Sequence, residues 1–292
     1  HEINPKIFMV KTFFPEKKTI IYQLNNYYEM YKGIVKKIIN PKKMKNYYKS
    51  DYFFLKNFES KKYLNFIKTK FVVSGSVKNN ELNTKKIKEK KYDIMFISIF
   101  RKKIKEVHNT FTYSCNHMLA GDSEAFYIAK IIGNLVKRKN LKVCVALSSL
   151  REEKRGKINF SDEIQFYKNS IKKFHVEEKL NSYELAEKSN VIVNVNSSLG
   201  TDLLGRGHKV LFFNPTHFFG GTVIEPFINK NKHDGYCWHY GNDSKKIEAK
   251  IVKAIKITSN QWNKNNILKN KFVFDGNNSK LKNIISKILK KN

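Results

Sequence analysis

Cysteine, proline and acidic residues are scarce in this chain of 292 residues, which has 3 Cys, 5 Pro and 25 Asp+Glu. Cys115, Cys144 and Cys237 are far apart and odd in number. They imply neither a disulfide framework nor a CxxC metal site, and they fit a reducing cytoplasm. With so little Pro and only 13 Gly, collagen-like and proline-rich classes are excluded. No apolar run approaches the roughly 18–20 residues that cross a bilayer. That excludes a transmembrane helix and leaves peripheral attachment open. GxGxxG and Walker loops are absent, which disfavours a standard NAD site and a P-loop NTPase. His108, His117, His217, His233 and His239 show no HxxxH or HExxH spacing, so no metal site is expected. The start, His1-Glu2-Ile3-Asn4, has neither Met nor an apolar leader and reads as a tag remnant or a piece of something longer.

Basic residues are plentiful: 57 Lys+Arg give a formal net charge of +32. Hydrophobic residues at 41% and aromatics at 13% supply a real core. At roughly 100–200 residues per domain, the length fits two domains or one large one. Lys and Asn dominate the polar positions and Ile replaces Leu and Val, which is how an AT-rich genome writes an ordinary protein. The charge is spread over the whole length, so much of it reads as solvated faces. The second reading is an anionic membrane surface or an anionic substrate. Nucleic acid is disfavoured, because no RNP, KH or zinc-finger pattern is present.

Thr19–Leu24, Tyr52–Leu55 and Phe71–Val73 read as strands, the last ending in the small-residue turn Ser74-Gly75-Ser76. Residues 27–39 and 60–67 are helix-compatible. The polar run 79–91 reads as a linker. After it, Tyr92–Ser98 is a continuous apolar run, as in a strand buried on both faces. Helical spacing follows over Asp122–Lys139, then a strand over Leu141–Leu147, helices over 160–174 and 182–189, a strand over Val191–Val195, a helix over 201–206 and a strand over 209–213. Residues 244–256 and 279–289 close the chain as helices. This alternation predicts a doubly wound parallel α/β sheet. The expected domains are 1–90 and 91–292.

Ligands of open α/β sheets bind beyond the carboxyl ends of strands. After Val191–Val195 stands Asn196-Ser197-Ser198-Leu199-Gly200-Thr201. Small hydroxyl residues at a helix start suit a phosphate, because backbone N–H groups there lack partners. Ser197 or Ser198 can equally be a plain N-cap. After Leu141–Leu147 come Ser148 and Arg151, and after Tyr92–Ser98 comes Arg101. Either arginine suits a phosphate or carboxylate clamp, or a surface role. Glu184 could accept two ribose hydroxyls, on a short helix that Ser182 would cap. Asp122 is the best-placed carboxylate for catalysis and is also a good N-cap. His117 and His217, read as loop residues, are acid/base candidates.

Several segments resemble a family. Phe71–Asn80 and Tyr92–Arg101 look like the interdomain crossing of GT-B-type transferases of bacterial surface-carbohydrate biosynthesis. Ser182–Leu185 with Val191–Asn214 resembles that family's nucleotide-binding segment. Asp234–His239, Asn260-Gln261-Trp262 and Phe274–Leu281 resemble its tail. The Ser-Ser-Leu-Gly segment is similar to donor sites of CMP-sugar (Kdo or sialic acid) transferases and of glycerophosphate transferases. The resemblance implies a GT-B-like α/β fold: two Rossmann-like domains with parallel sheets, the N-terminal one short or truncated. It also implies a metal-independent cytoplasmic glycosyltransferase. The substrate would be a nucleotide-sugar donor with no further cofactor, and the acceptor a glycan or glycolipid at the inner membrane. Asn196, Ser197, Ser198, Leu199, Gly200 and Thr201 would then hold phosphate. Glu184 would hold ribose. Arg101, Ser148 and Arg151 would bind the leaving nucleotide, and Asp122 and His117 would serve catalysis. The usual His-Gly pair after the early strand is replaced by Tyr22–Asn26. A CDP-glycerol polyol-phosphate transferase and a non-catalytic basic binding protein are the alternatives.

Overall fold

The computed structural model describes residues 8, 10–11, 13–23, 47–82, 84, 87, 89–100, 112–148, 161–215, 224, 227–228 and 232–290, with the side chains of 112–123 and 269 left out of that description. The chain forms two compact units. The first comprises 1–83, 225–227 and 267–292, and the second comprises 84–224 and 228–266. The expected domain 91–292 therefore loses its tail, which packs into the first unit.

In the first unit, strands β1 (Ile20–Tyr22), β2 (Lys49–Leu55) and β3 (Lys68–Val73) form a parallel sheet in the order β1-β2-β3. Phe8, Ile21, Tyr48, Phe53, Leu55, Leu64, Phe66 and Ile67 form its core. The short helix α1 (Ser60–Tyr63) stops four residues before the expected end. Leu64, Phe66 and Ile67 go into the core instead. Residues 79–91 are not all linker: α2 (Val77–Glu81) occupies their start and buries Asn79 and Asn80. The reason is a pairing that no local pattern reveals. The Asn80 amide donates to the Ser74 carbonyl at 2.8 Å and to the Asn278 side-chain oxygen at 3.0 Å, and its own oxygen accepts the Asp275 N–H at 3.0 Å. Asn278 in turn donates to the Val77 carbonyl at 2.9 Å. Two of the segments that carry the family resemblance thus meet in space and hold the first unit closed. The expected helix 27–39 lies outside the described residues.

In the second unit, β4 (Tyr92–Ile97), β5 (Val143–Ala146), β6 (Ser189–Asn194), β7 (Val210–Asn214) and β8 (Trp238–Tyr240) form a wholly parallel sheet in the order β5-β4-β6-β7-β8. The apolar runs are buried along their length, as the continuous pattern predicts. Helices α3 (Thr112–Lys139), α4 (Ser161–Ile171), α5 (Ser182–Glu187), α6 (Ser198–Gly205), α7 (Ser244–Lys256) and α8 (Ser259–Asn265) flank or follow the strands. Helix α9 (Ser279–Leu289) belongs to the first unit. The parallel α/β fold expected from the alternation is what forms.

Helix α3 begins ten residues before the expected start, so Asp122 lies inside it and does not cap it. His117 is likewise helical, not in a loop. Gly121 does not stop the helix, because a Gly costs only about 1 kcal/mol in a helix interior. Gly133, further along, lets α3 close on α4. A Cβ there would sit 2.2 Å from the Ser170 carbonyl oxygen. Helix α5 is capped by Asn181, one residue before the expected Ser182.

Lys209, just before β7, is 5% exposed. Its ammonium donates to the carbonyls of Ala254 and Ile257 at the end of α7, at 2.7 and 2.9 Å. Burial, with the nearby Lys90 charge adding to it, pushes its pKa down to about 8. Between pH 8 and the ordinary lysine value of 10.5, the unfolded chain binds the proton that the folded one has lost. Lys209 therefore makes stability rise with pH across that window. Urea unfolding of wild type and Lys209→Met should show wild type gaining on the variant from pH 7.5 to pH 10. A constant difference would contradict a buried, charge-disfavoured lysine.

Candidate functional site

The order β5-β4-β6 places a switch point between β4 and β6. The chain leaves β4 to one side for β5 and returns on the other side for β6. Crevices beyond the carboxyl ends of strands at such a point are where open α/β sheets bind ligands. Two groups of residues stand at these strand ends.

The first group follows β6. Asn194, wholly buried, accepts the Ser197 N–H at 3.1 Å and donates to the Ser197 carbonyl at 3.2 Å, closing a tight turn. Ser197 caps α6, its hydroxyl accepting the Leu199 N–H at 3.3 Å. The Thr201 hydroxyl donates to the Ser198 carbonyl at 2.7 Å and is buried. Gly200 is packed so closely on Asn194 that a Cβ would lie 2.6 Å from its amide. The fold thus uses Ser197, Gly200 and Thr201 for itself. Asn196, Ser198 and Leu199 are half-buried at the rim. Capping and anion binding are not exclusive here, because an eight-residue helix starts on this turn and its first turn carries N–H groups and the positive end of the helix dipole, although Leu199 and Gly200 already give theirs to Ser197.

The second group stands at the ends of β4 and β5. The Glu163 carboxyl, fully buried in the first turn of α4, accepts from the Ser98 hydroxyl, from the Ser148 N–H at 2.8 Å and from the Ser148 hydroxyl at 3.1 Å. Ser98 also meets the Tyr167 hydroxyl at 2.8 Å and accepts the Phe100 N–H at 3.1 Å. Ser148 donates to the Phe100 carbonyl at 2.8 Å. One carboxyl therefore pins the exits of two neighbouring strands. Sequence reasoning named Ser148 but missed Glu163, Ser98 and Asn194. An acid in a helix's first turn looks like an ordinary dipole complement.

The structure brings Asn196–Thr201 into one turn after β6 and holds Ser148 at the end of β5, with β4 between the two strands. Glu184 is exposed, and its carboxylate accepts the Asn181 N–H at 2.9 Å in a capping box. The Asn181 side chain reciprocates with the Glu184 N–H at 3.0 Å. Asp122 and His117 have a described helical backbone and no described side chain. Arg101, Arg151 and His217 lie outside the described residues. Tyr183 reaches from α5 to α6, donating to Asp202 at 3.2 Å, and burial raises its phenol well above the ordinary value. Cys144 and Cys237 are buried, which pushes both thiols up to about 12 and leaves them unreactive. Among the described residues, no three His, Cys, Asp or Glu side chains converge on a metal position.

The family model described as "putative O-antigen biosynthesis protein" matches residues 30–289. The chain belongs to that family. No curated protein matches the sequence. Among solved structures, the chain is similar to the pneumococcal O-GlcNAc transferase GtfA in complex with UDP and GlcNAc, at 12% identity and a TM-score of 0.40. The match covers 91% of this chain and 48% of that one, so this chain spans about half the length of that transferase.

Proposed function

We propose that this member of the O-antigen biosynthesis family is a glycosyltransferase that moves a sugar from a nucleotide-linked donor onto a surface glycan or its lipid-linked primer. The observation that carries this reading is the turn after β6. It is a helix start beside the switch point, with the Ser198 and Asn196 side chains at its rim. There the leaving phosphate would meet backbone N–H groups and the positive end of α6. A field of this kind stabilises charge as it develops on the departing nucleotide. In this reading Arg101 and Arg151 add positive charge, Glu184 holds ribose, and Asp122 and His117 serve as acid/base candidates. A CMP-linked donor such as CMP-Kdo is favoured by the sequence resemblance. The net charge of +32 supports an anionic membrane leaflet as the place where the acceptor waits.

Thermal unfolding in the presence of CMP-, UDP-, GDP- and CDP-linked donors tests this. A donor at about 100 times its Kd stabilises by roughly 2.7 kcal/mol, a rise of about 5–10 °C for a chain of this size. One nucleotide class should raise the midpoint so and the others little. A response to CDP-glycerol alone would replace the sugar transferase by a polyol-phosphate transferase. No response to any donor would end the reading.

A further inference from the structure

We propose that helix α9 is a membrane-docking element that lays its apolar stripe on the surface of an anionic bilayer. This deepens the membrane clause of the proposed function and stands apart from the transfer chemistry. Leu281, Ile284, Ile285, Ile288 and Leu289 recur at i, i+3, i+4, i+7 and i+8, which makes one face of a helix apolar. Helix α7 has a comparable pattern and uses it in the core, with Ile247, Ile251 and Ala254 buried. Helix α9 buries none of its residues fully: Leu281, Ile284 and Ile288 are half-buried, and the edge of the stripe at Ile285 and Leu289 is open. Ile285 is 38% exposed and Leu289 67%.

The stripe is bordered by charge of one sign. From 276 to 292 there are five lysines, at 280, 282, 287, 290 and 291, and no acid. At 3.6 residues per turn, Lys282 lies on one side of the stripe and Lys280 and Lys287 on the other. Lysines so placed lie along the headgroups while the apolar side chains enter the acyl boundary. Lys280 also donates to the Val73 carbonyl at 2.8 Å, fixing the helix to the end of β3. The surrounding unit has the same character. Ten of the eleven exposed large apolar side chains among the described residues belong to the first unit, Phe13, Phe14, Tyr47 and Phe58 among them. A second copy of the chain fits this face poorly, because it would set five lysines against five lysines. An anionic lipid surface satisfies the stripe and its borders together.

The test is flotation of the full chain with vesicles of phosphatidylcholine alone or mixed with phosphatidylglycerol. Wild type should float with the mixed vesicles, and added salt should weaken but not abolish binding. Ile285→Glu/Leu289→Glu should lower the bound fraction at least about tenfold, and Lys282→Gln/Lys287→Gln should lower it and its salt dependence. Both variants should keep the unfolding midpoint and the donor-induced shift of wild type. A failure here is thereby distinct from a failure of the transferase reading. Absence of wild-type binding, equal binding by the stripe variant, or a wild-type dimer that the stripe variant turns into a monomer without vesicle binding would each overturn the proposal.

Discussion

Glu163→Ala should lower the unfolding midpoint by about 6–12 °C, the equivalent of roughly 3 kcal/mol at 2–4 °C per kcal/mol. The carboxyl is fully buried, accepts from the Ser98 hydroxyl and the Ser148 N–H, and shares the Ser148 hydroxyl proton with the Phe100 carbonyl. Removing it leaves the half-buried Ser148 N–H without its acceptor, at a cost of up to about 1–3 kcal/mol. The void left behind adds to that. The Ser98 hydroxyl keeps Tyr167 as a partner, which limits the loss on that side. Glu163→Gln retains an oxygen for the Ser148 N–H in nearly the same shape, so its cost should be near 1 kcal/mol. The order wild type, Gln, Ala in a melting series is thus the signature of an acceptor clamp. If Ala and Gln melt together with wild type, the carboxyl holds nothing. Because Ser98 lies at the exit of β4, which borders the switch point, Glu163→Ala should also weaken donor binding at temperatures where the protein is still folded.

That clamp shows where the sequence stops being legible. Strands β4 to β7 could be read directly, because burial on both faces leaves continuous apolar runs such as Tyr92–Ile97. The turn after β6 could be read as a capped helix start, since small hydroxyl residues between a strand and a helix supply N-caps. Glu163 could not, for its partners are 65 and 15 residues away and nothing local marks it as buried. Strand β8 is only three residues long, Trp238 to Tyr240, and its pairing with β7 supplies what its pattern lacks. The tail was misplaced for the same reason. Asn80 and Asn278 lie 198 residues apart, and side-chain amides that meet across such a distance leave no periodicity behind. Within the turn itself, the residue types were legible and their division of labour was not. Which hydroxyl serves the fold and which faces the rim depends on the Asn194 geometry.

That division of labour can be measured with Gly200→Ala and Ser198→Ala together. A Cβ at 200 would press to 2.6 Å on the Asn194 amide, a short buried side chain held by its two bonds to Ser197. The amide has nowhere to swing, so either the turn or α6 must move, at a cost of about 1–3 kcal/mol. Gly200→Ala should therefore lower the melting midpoint and also reduce donor binding. Ser198→Ala removes a rim hydroxyl whose backbone carbonyl, not its side chain, holds Thr201. Stability should change by no more than about 0.5 kcal/mol, the range of ordinary surface substitutions. Donor affinity should nevertheless fall about tenfold to a hundredfold, since a hydrogen bond to a charged group contributes about 1.5–3 kcal/mol. Asn196→Ala should follow Ser198→Ala in both respects. Loss of stability without loss of affinity in Gly200→Ala, with Ser198→Ala indistinguishable from wild type in calorimetric titration, would mean that the turn only joins β6 to α6. Loss of affinity at full stability in Ser198→Ala has no explanation in packing, and it would tie the phosphate to this helix start.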